Sequence, residues 1–158
     1  MNSIKIHTSK SLGFTLIEVM LALVIFSIGL LGLASLQANS LQQSHNAYSR
    51  TQAMYLAYDI LDRMRANRSE ATNYDIGTGA LGAPGSTCVS TSDTCSKSAI
   101  RLADRYLWKE DLKATLPLGD GSIATTSVGG RTEIRIRVLG DINRSGTAAT
   151  IIDIRAEL

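Results

Sequence analysis

The sequence predicts an α+β fold: a long N-terminal helix, membrane-spanning in its first half, packed on a small antiparallel β-sheet head. Three observations predict it. No formal charge falls between Glu18 and Arg50, which leaves residues 19–49 as a run of 31 uncharged positions. The helical pattern does not stop at Leu36: residues 37–52 turn polar without proline or glycine, and an amphipathic period then resumes to about Asn67. After Gly121 the period becomes two.

The averages hide this unevenness. The chain has 158 residues, 44% hydrophobic, 19% charged and 5% aromatic, with a formal net charge of +2 and a mean hydropathy of +0.07. That is room for one domain of ordinary size. The balance excludes a disordered, collagen-like or strongly basic nucleic-acid-binding chain. Two cysteines are too few for a disulfide-dense scaffold or a four-thiolate zinc site.

Residues 1–13 are polar and carry Lys5 and Lys10 without an acid. Residues 14–36 are apolar apart from Glu18 and a few small or hydroxyl side chains. As a helix they would run about 35 Å, enough to cross a hydrocarbon core of roughly 30 Å. The basic flank is expected to stay cytoplasmic, with the bulk of the chain outside. A secretory signal would be shorter and end at small residues, and the stretch around Ala34 to Ala38 imitates such a site. The long apolar run and its early carboxylate argue against it. A charge inside a membrane segment costs on the order of 3 kcal/mol, so Glu18 needs a reason. Favourable placement against the helix dipole is one, and a functional role is the other.

Gly13-Phe14-Thr15-Leu16-Ile17-Glu18, after a basic leader and before some twenty apolar residues, resembles the processing and methylation motif of type IV prepilins. The resemblance implies cleavage between Gly13 and Phe14 by a membrane prepilin peptidase, N-methylation of Phe14, and Glu18 as the fifth mature residue. It further implies that Glu18 neutralises the new amine in the assembling fibre, since an unpaired charge there would be penalised. The stretches Gly29-Leu30-Leu31-Gly32-Leu33-Ala34, Arg50-Thr51-Gln52-Ala53 and residues 59–68 (DILDRMRANR) are similar to the PilV-type minor pilins, also called type IV pilus modification proteins. The likeness continues more thinly in residues 116–121 and 153–158.

The expected organisation is a cleaved leader over 1–13, a transmembrane and assembly half-helix over 14–36, an amphipathic half-helix over 37–67, and a pilin head over 68–158. In the second half-helix Ala53, Ala57, Ile60, Leu61 and Met64 form one stripe. One helix from Phe14 to Asn67 would be roughly 80 Å long. Gly29 and Gly32 mark a soft spot, a close-contact face, or ordinary membrane-helix glycines. Residues 69–98 are rich in Gly, Ser, Thr and Asn and predict a long surface loop. Cys88 and Cys95 lie in it as a disulfide or two free thiols. Outside the cytoplasm a disulfide is favoured, contributing about 2.5 kcal/mol. Residues 97–115 predict a second helix, with Leu102, Ala103, Tyr106 and Leu107 inward and Pro117 ending it. Trp108 packs or is exposed. Strands follow around residues 132–138 and 147–156, with Gly129-Gly130 as a hairpin turn.

Several motifs tempt and fail. Residues 77–82 match GxGxxG, yet neither a strand before nor a helix after supports a dinucleotide site. Asp141, Asn143, Ser145 and Gly146 resemble the start of a calcium loop, but Ile152 stands where the bidentate glutamate belongs. His7 falls in the leader, His45 has no nucleophile motif beside it, and no HExxH, nucleophile elbow or Walker A is present.

The expectation is therefore a non-enzymatic minor pilin without cofactor or metal, acting in pilus assembly, initiation or modification. The resemblance implies partnership with prepilin peptidase, the inner membrane, other minor and major pilins and the pilus assembly platform. The head is expected in the periplasm before assembly and in the fibre or tip afterwards. A minor pseudopilin of a type II secretion system is the alternative, and a pilus-tip binding module for DNA or surfaces is another. Arg131, Arg135, Arg137 and Arg155 would share a sheet face with Glu133 and Asp153, which disfavours nucleic acid. Loss of the 13-residue leader removes Lys5 and Lys10 from 16 basic residues, leaving 145 residues with 14 charges of each sign.

Overall fold

The computed structural model describes residues 13–85, 88 and 95–158. The leader residues Lys5, His7 and Lys10, and residues 86–87 and 89–94 of the expected loop, lie outside the described residues. The chain divides at Gln42 and Gln43 into two compact units.

Helix α1, Leu16–Ala66, is one uninterrupted α-helix of 51 residues. Thr15 starts it: its Oγ1 accepts from the Glu18 N–H at 3.4 Å, and its carbonyl accepts from the Glu18 and Val19 N–H groups. Gly29 and Gly32 do not break it, and Ser27 returns its hydroxyl to the Leu23 carbonyl at 2.7 Å, satisfying the one polar group nearby.

In the second unit the α1 stripe is buried as its spacing requires. Ala53, Ala57, Ile60, Leu61 and Met64 are almost fully enclosed, joined by Leu56 and Ser49. Helix α2 runs Lys97–Thr115, capped by Ser96 Oγ accepting from the Ala99 N–H at 3.2 Å, and Pro117 follows its end. Its inward face differs from the expected one. Ala103 is buried, but Leu102 is exposed, Tyr106 and Leu107 are half-buried, and Trp108, Lys109 and Leu112 face the core. The cause is Trp108. It has the most area to bury, and its indole N–H reaches the Leu56 carbonyl at 2.9 Å, which turns that face inward.

Strands β1 (Asp120–Val128), β2 (Arg131–Gly140) and β3 (Ala149–Glu157) form one antiparallel sheet in the order β1-β2-β3. Gly129 and Gly130 both have positive φ, at 60° and 83°, which the two-residue hairpin demands. Register pairs Ile123 with Ile136 and Ile136 with Ile154. Ile123, Ile134, Ile136 and Val138 thus share the inner face and join Trp108, Leu112 and the α1 stripe in one core. At Gly121 a Cβ would sit 2.4 Å from Trp108 Cη2, so the indole packs against bare backbone that a side chain would push away.

The segment expected as an open loop is ordered at its start. A 3-10 helix spans Arg68–Asn73, Tyr74 is fully buried, and Ile76 exchanges both backbone hydrogen bonds with Ile123, at 3.0 and 2.9 Å. Single apolar residues between Gly, Thr and Asn show no period. Their burial is decided by distant pairing to β1.

Candidate functional site: the N-terminal helix and the groups around the head

Gly13 and Phe14 precede the helix, and Phe14 is 82% exposed. Every large apolar side chain from Phe14 to Leu36 is at least half exposed. An apolar surface of that extent is not tolerated in water and requires lipid or protein around it. The helix is long and apolar enough to cross a membrane. Glu18 lies in its first turn, where the dipole favours a carboxylate. Phe14, Glu18, Ala22 and Phe26 recur every four residues, and with Val19 and Leu23 they line an open groove of about 540 Å³. The carboxylate therefore stands in an apolar stripe, four residues from the proposed new N-terminus.

Cys88 and Cys95 are joined by a disulfide, seven residues apart in sequence. His45 is exposed on α1. Among the described residues no group of three or more His, Cys, Asp or Glu side chains is placed to hold a metal. In the Asp141 loop the carboxylate is used by the chain itself: it accepts from the Ser145 N–H at 2.8 Å, the Gly146 N–H at 2.6 Å and the Ser145 hydroxyl. Asn67 is buried and donates to the Lys97 carbonyl at 2.8 Å.

The GxGxxG stretch has a structural use that its motif did not suggest. Lys109 is fully buried, and its ammonium binds the Gly77 carbonyl at 2.9 Å and the Asp120 carboxylate. Asp120 also accepts from the Gly79 and Gly121 N–H groups, each at 2.7 Å. The glycine loop is pinned to α2 and β1 by this pair. Nearby, Tyr74 donates to Asp104 at 2.7 Å, and burial followed by that bond raises its pKa. Sequence reading missed Lys109 and Asp120 because a lysine within a helix reads as solvated surface. The signal was positional: Lys109 lies one residue from Trp108 and three before Leu112, on the apolar stripe.

Burial pushes the Asp120 carboxyl up, but Lys109 and the two N–H groups hold it below the ordinary value. Asp141 is held low by the Ser145 and Gly146 N–H groups, against a smaller desolvation effect, and Asp153 by Arg135. Depressed carboxylates contribute stability that is present above their unfolded value of about 3.9 and is lost as pH falls through the folded values. The thermal midpoint should thus be nearly level above pH ~5 and fall steeply below pH ~4. Asp120→Asn should flatten that descent. A level midpoint down to pH ~2 would contradict the assignment.

The Gln43–Leu158 unit turns an outer sheet face to solvent on which two ion pairs form. Arg135 grips Asp153 with two nitrogens, and Arg131 meets Glu157 at 3.0 Å.

Two families match this chain. Residues 8–34 match the prokaryotic N-terminal methylation motif, and residues 35–106 match the family described as Type IV pilin Tt1218. Together these matches support a type IV pilin with a prepilin motif. The long helix and three-stranded antiparallel sheet are the fold of that class. No curated protein and no solved structure shows a significant match. Pilins with the methylation motif are processed by prepilin peptidase and assembled with other pilins, and the motif and long apolar helix of this chain fit such a membrane-anchored subunit. Pilins are structural proteins, and the exposed apolar helix is the part of this one that assembly must cover.

Proposed function

We propose that this pilin is a PilV-type minor subunit that takes part in initiating or modifying a type IV pilus, without catalysis of its own. Peptidase cleavage falls between Gly13 and Phe14, Phe14 is N-methylated, and residues 14–36 hold the subunit in the inner membrane with residues 68–158 in the periplasm. Extraction by the assembly platform then carries the apolar helix from lipid into the fibre. The observation that carries this reading is the lone carboxylate: Glu18 is the only formal charge between Lys10 and Arg50, and it stands in the groove beside Phe14. A methylated amine at Phe14 would pair with such a carboxylate across a subunit boundary, and two charges that cannot afford burial alone fix axial register. The minor role, rather than a pseudopilin role in type II secretion, is supported by the sequence of residues 59–68. Its Asp59–Arg63 pair at 2.9 Å and Arg63–Asp104 contact at 3.6 Å link α1 to α2.

Glu18→Gln tests the reading. The variant should be processed and membrane-inserted normally, yet be depleted at least tenfold from sheared pili, about 1.4 kcal/mol of lost preference. In the wild type the chain should form a small fraction of pilus protein. Wild-type incorporation of the variant, or a wild-type abundance equal to the bulk subunit, would reject the proposal.

A further inference from the structure

The two edges of the sheet are not alike. The β1 edge is closed: Ile76 takes both backbone groups of Ile123, and the Asp75 carboxylate accepts from the Thr125 N–H and hydroxyl. The β3 edge is open. Thr132 and Leu158 exchange both backbone hydrogen bonds, and the register from Ile134–Ala156 to Val138–Ile152 continues that ladder. Antiparallel alternation then turns the N–H and C=O groups of Asp153, Arg155 and Glu157 away from β2. Residues 152–157 contain no proline or glycine, and the one register shift lies before them, at Val138/Leu139. This is a six-residue template for another strand.

Both faces of β3 are incomplete in a way that describes the missing neighbour. On the inner face Ile134, Ile136 and Val138 of β2 are at most 2% exposed, whereas Ile152, Ile154 and Ala156 of β3 are only half-buried. On the outer face the register sets Arg155 directly opposite Arg135, a like-charge pair at the closest kind of cross-strand position. Arg135 is satisfied by Asp153, while Arg155 makes no ion pair among the described residues. What the edge lacks is apolar cover below and a carboxylate in direct contact with Arg155, since the nearby Asp153 is engaged by Arg135.

We propose that β3 receives an extended strand from a different pilin subunit, with an acidic residue facing Arg155 and apolar residues covering Ile152 and Ile154. The occupant is not a second copy. Pairing β3 with itself antiparallel requires a two-fold axis normal to the sheet, which reverses every in-plane direction, whereas subunits leaving one membrane for one fibre share a polarity. The inference rests on pilin identity but not on the minor role proposed above.

The full-length chain is produced in piliated cells with a photo-crosslinking residue at Glu157, and crosslinked peptides are sequenced by mass spectrometry. The expected product joins position 157 to an acidic, alternately apolar segment of another pilin. Its yield should fall about tenfold with Arg155→Glu. Arg155→Pro should do the same, since the N–H it removes faces away from β2 and the sheet keeps its ladder. Thermal unfolding of both variants serves as the folding control, and the exposed Arg155→Glu change carries the test if the proline variant unfolds. A crosslink insensitive to Arg155→Glu, a product joining two β3 strands, or no product at all in cells that incorporate the chain into pili would overturn the proposal. Failure of the chain to enter pili would instead count against the assembly role.

Discussion

Asp120→Ala should destabilise the Gln43–Leu158 unit by about 3–5 kcal/mol, because it leaves the Lys109 ammonium buried without its counter-charge. The Lys109 side chain is 0% exposed, and its remaining partner would be the Gly77 carbonyl alone. The same change frees the Gly79 and Gly121 N–H groups, so the glycine loop loses its tie to β1 as well. Losing one partner costs far more than losing both: Lys109→Met combined with Asp120→Leu should recover most of the loss, since a buried pair replaced by apolar groups is often near neutral. Chemical denaturation of the single and double variants measures this. Equal destabilisation by Asp120→Ala and by the double change would show that packing, not charge, governs the site.

Trp108→Ala should cost a similar 3–5 kcal/mol, through the cavity it leaves and the hydrogen bond it removes. The indole touches α1 through the Leu56 carbonyl and fills the space above Gly121, so three elements lose their common contact. Trp108→Phe should retain most of the volume and recover more than half of the loss. If Trp108→Ala unfolds at the wild-type denaturant midpoint, the indole is not the centre of the core.

These effects explain which parts of the fold were legible in the sequence. The α1 stripe from Ala53 to Met64 and the alternation from Thr132 to Val138 are periodic, and periodicity alone fixes which face is buried. Gly129-Gly130 and Pro117 act locally, so turn and helix end also followed from the residues. The inward face of α2 did not, because Leu102 and Tyr106 match a helical stripe as well as Trp108 and Leu112 do. Only the position of Leu56 on another helix separates the two. Tyr74, Ile76 and Asp120 were illegible for the same reason: each is placed by a partner more than ten residues away. The candidate site was the opposite case. Phe14 and Glu18 lie within five residues of each other in a segment without other charges, and the groove they line follows from helical spacing alone.

The measurement that tests the account most directly is mass spectrometry of the mature N-terminus in cells with and without prepilin peptidase. With the peptidase, the chain should begin at an N-methylated Phe14, with the residues through Gly13 removed. Without it, the precursor should persist uncut with Lys5 and Lys10 in place. A chain that stays uncut when the peptidase is present, or one that begins near Ala38, would contradict the account.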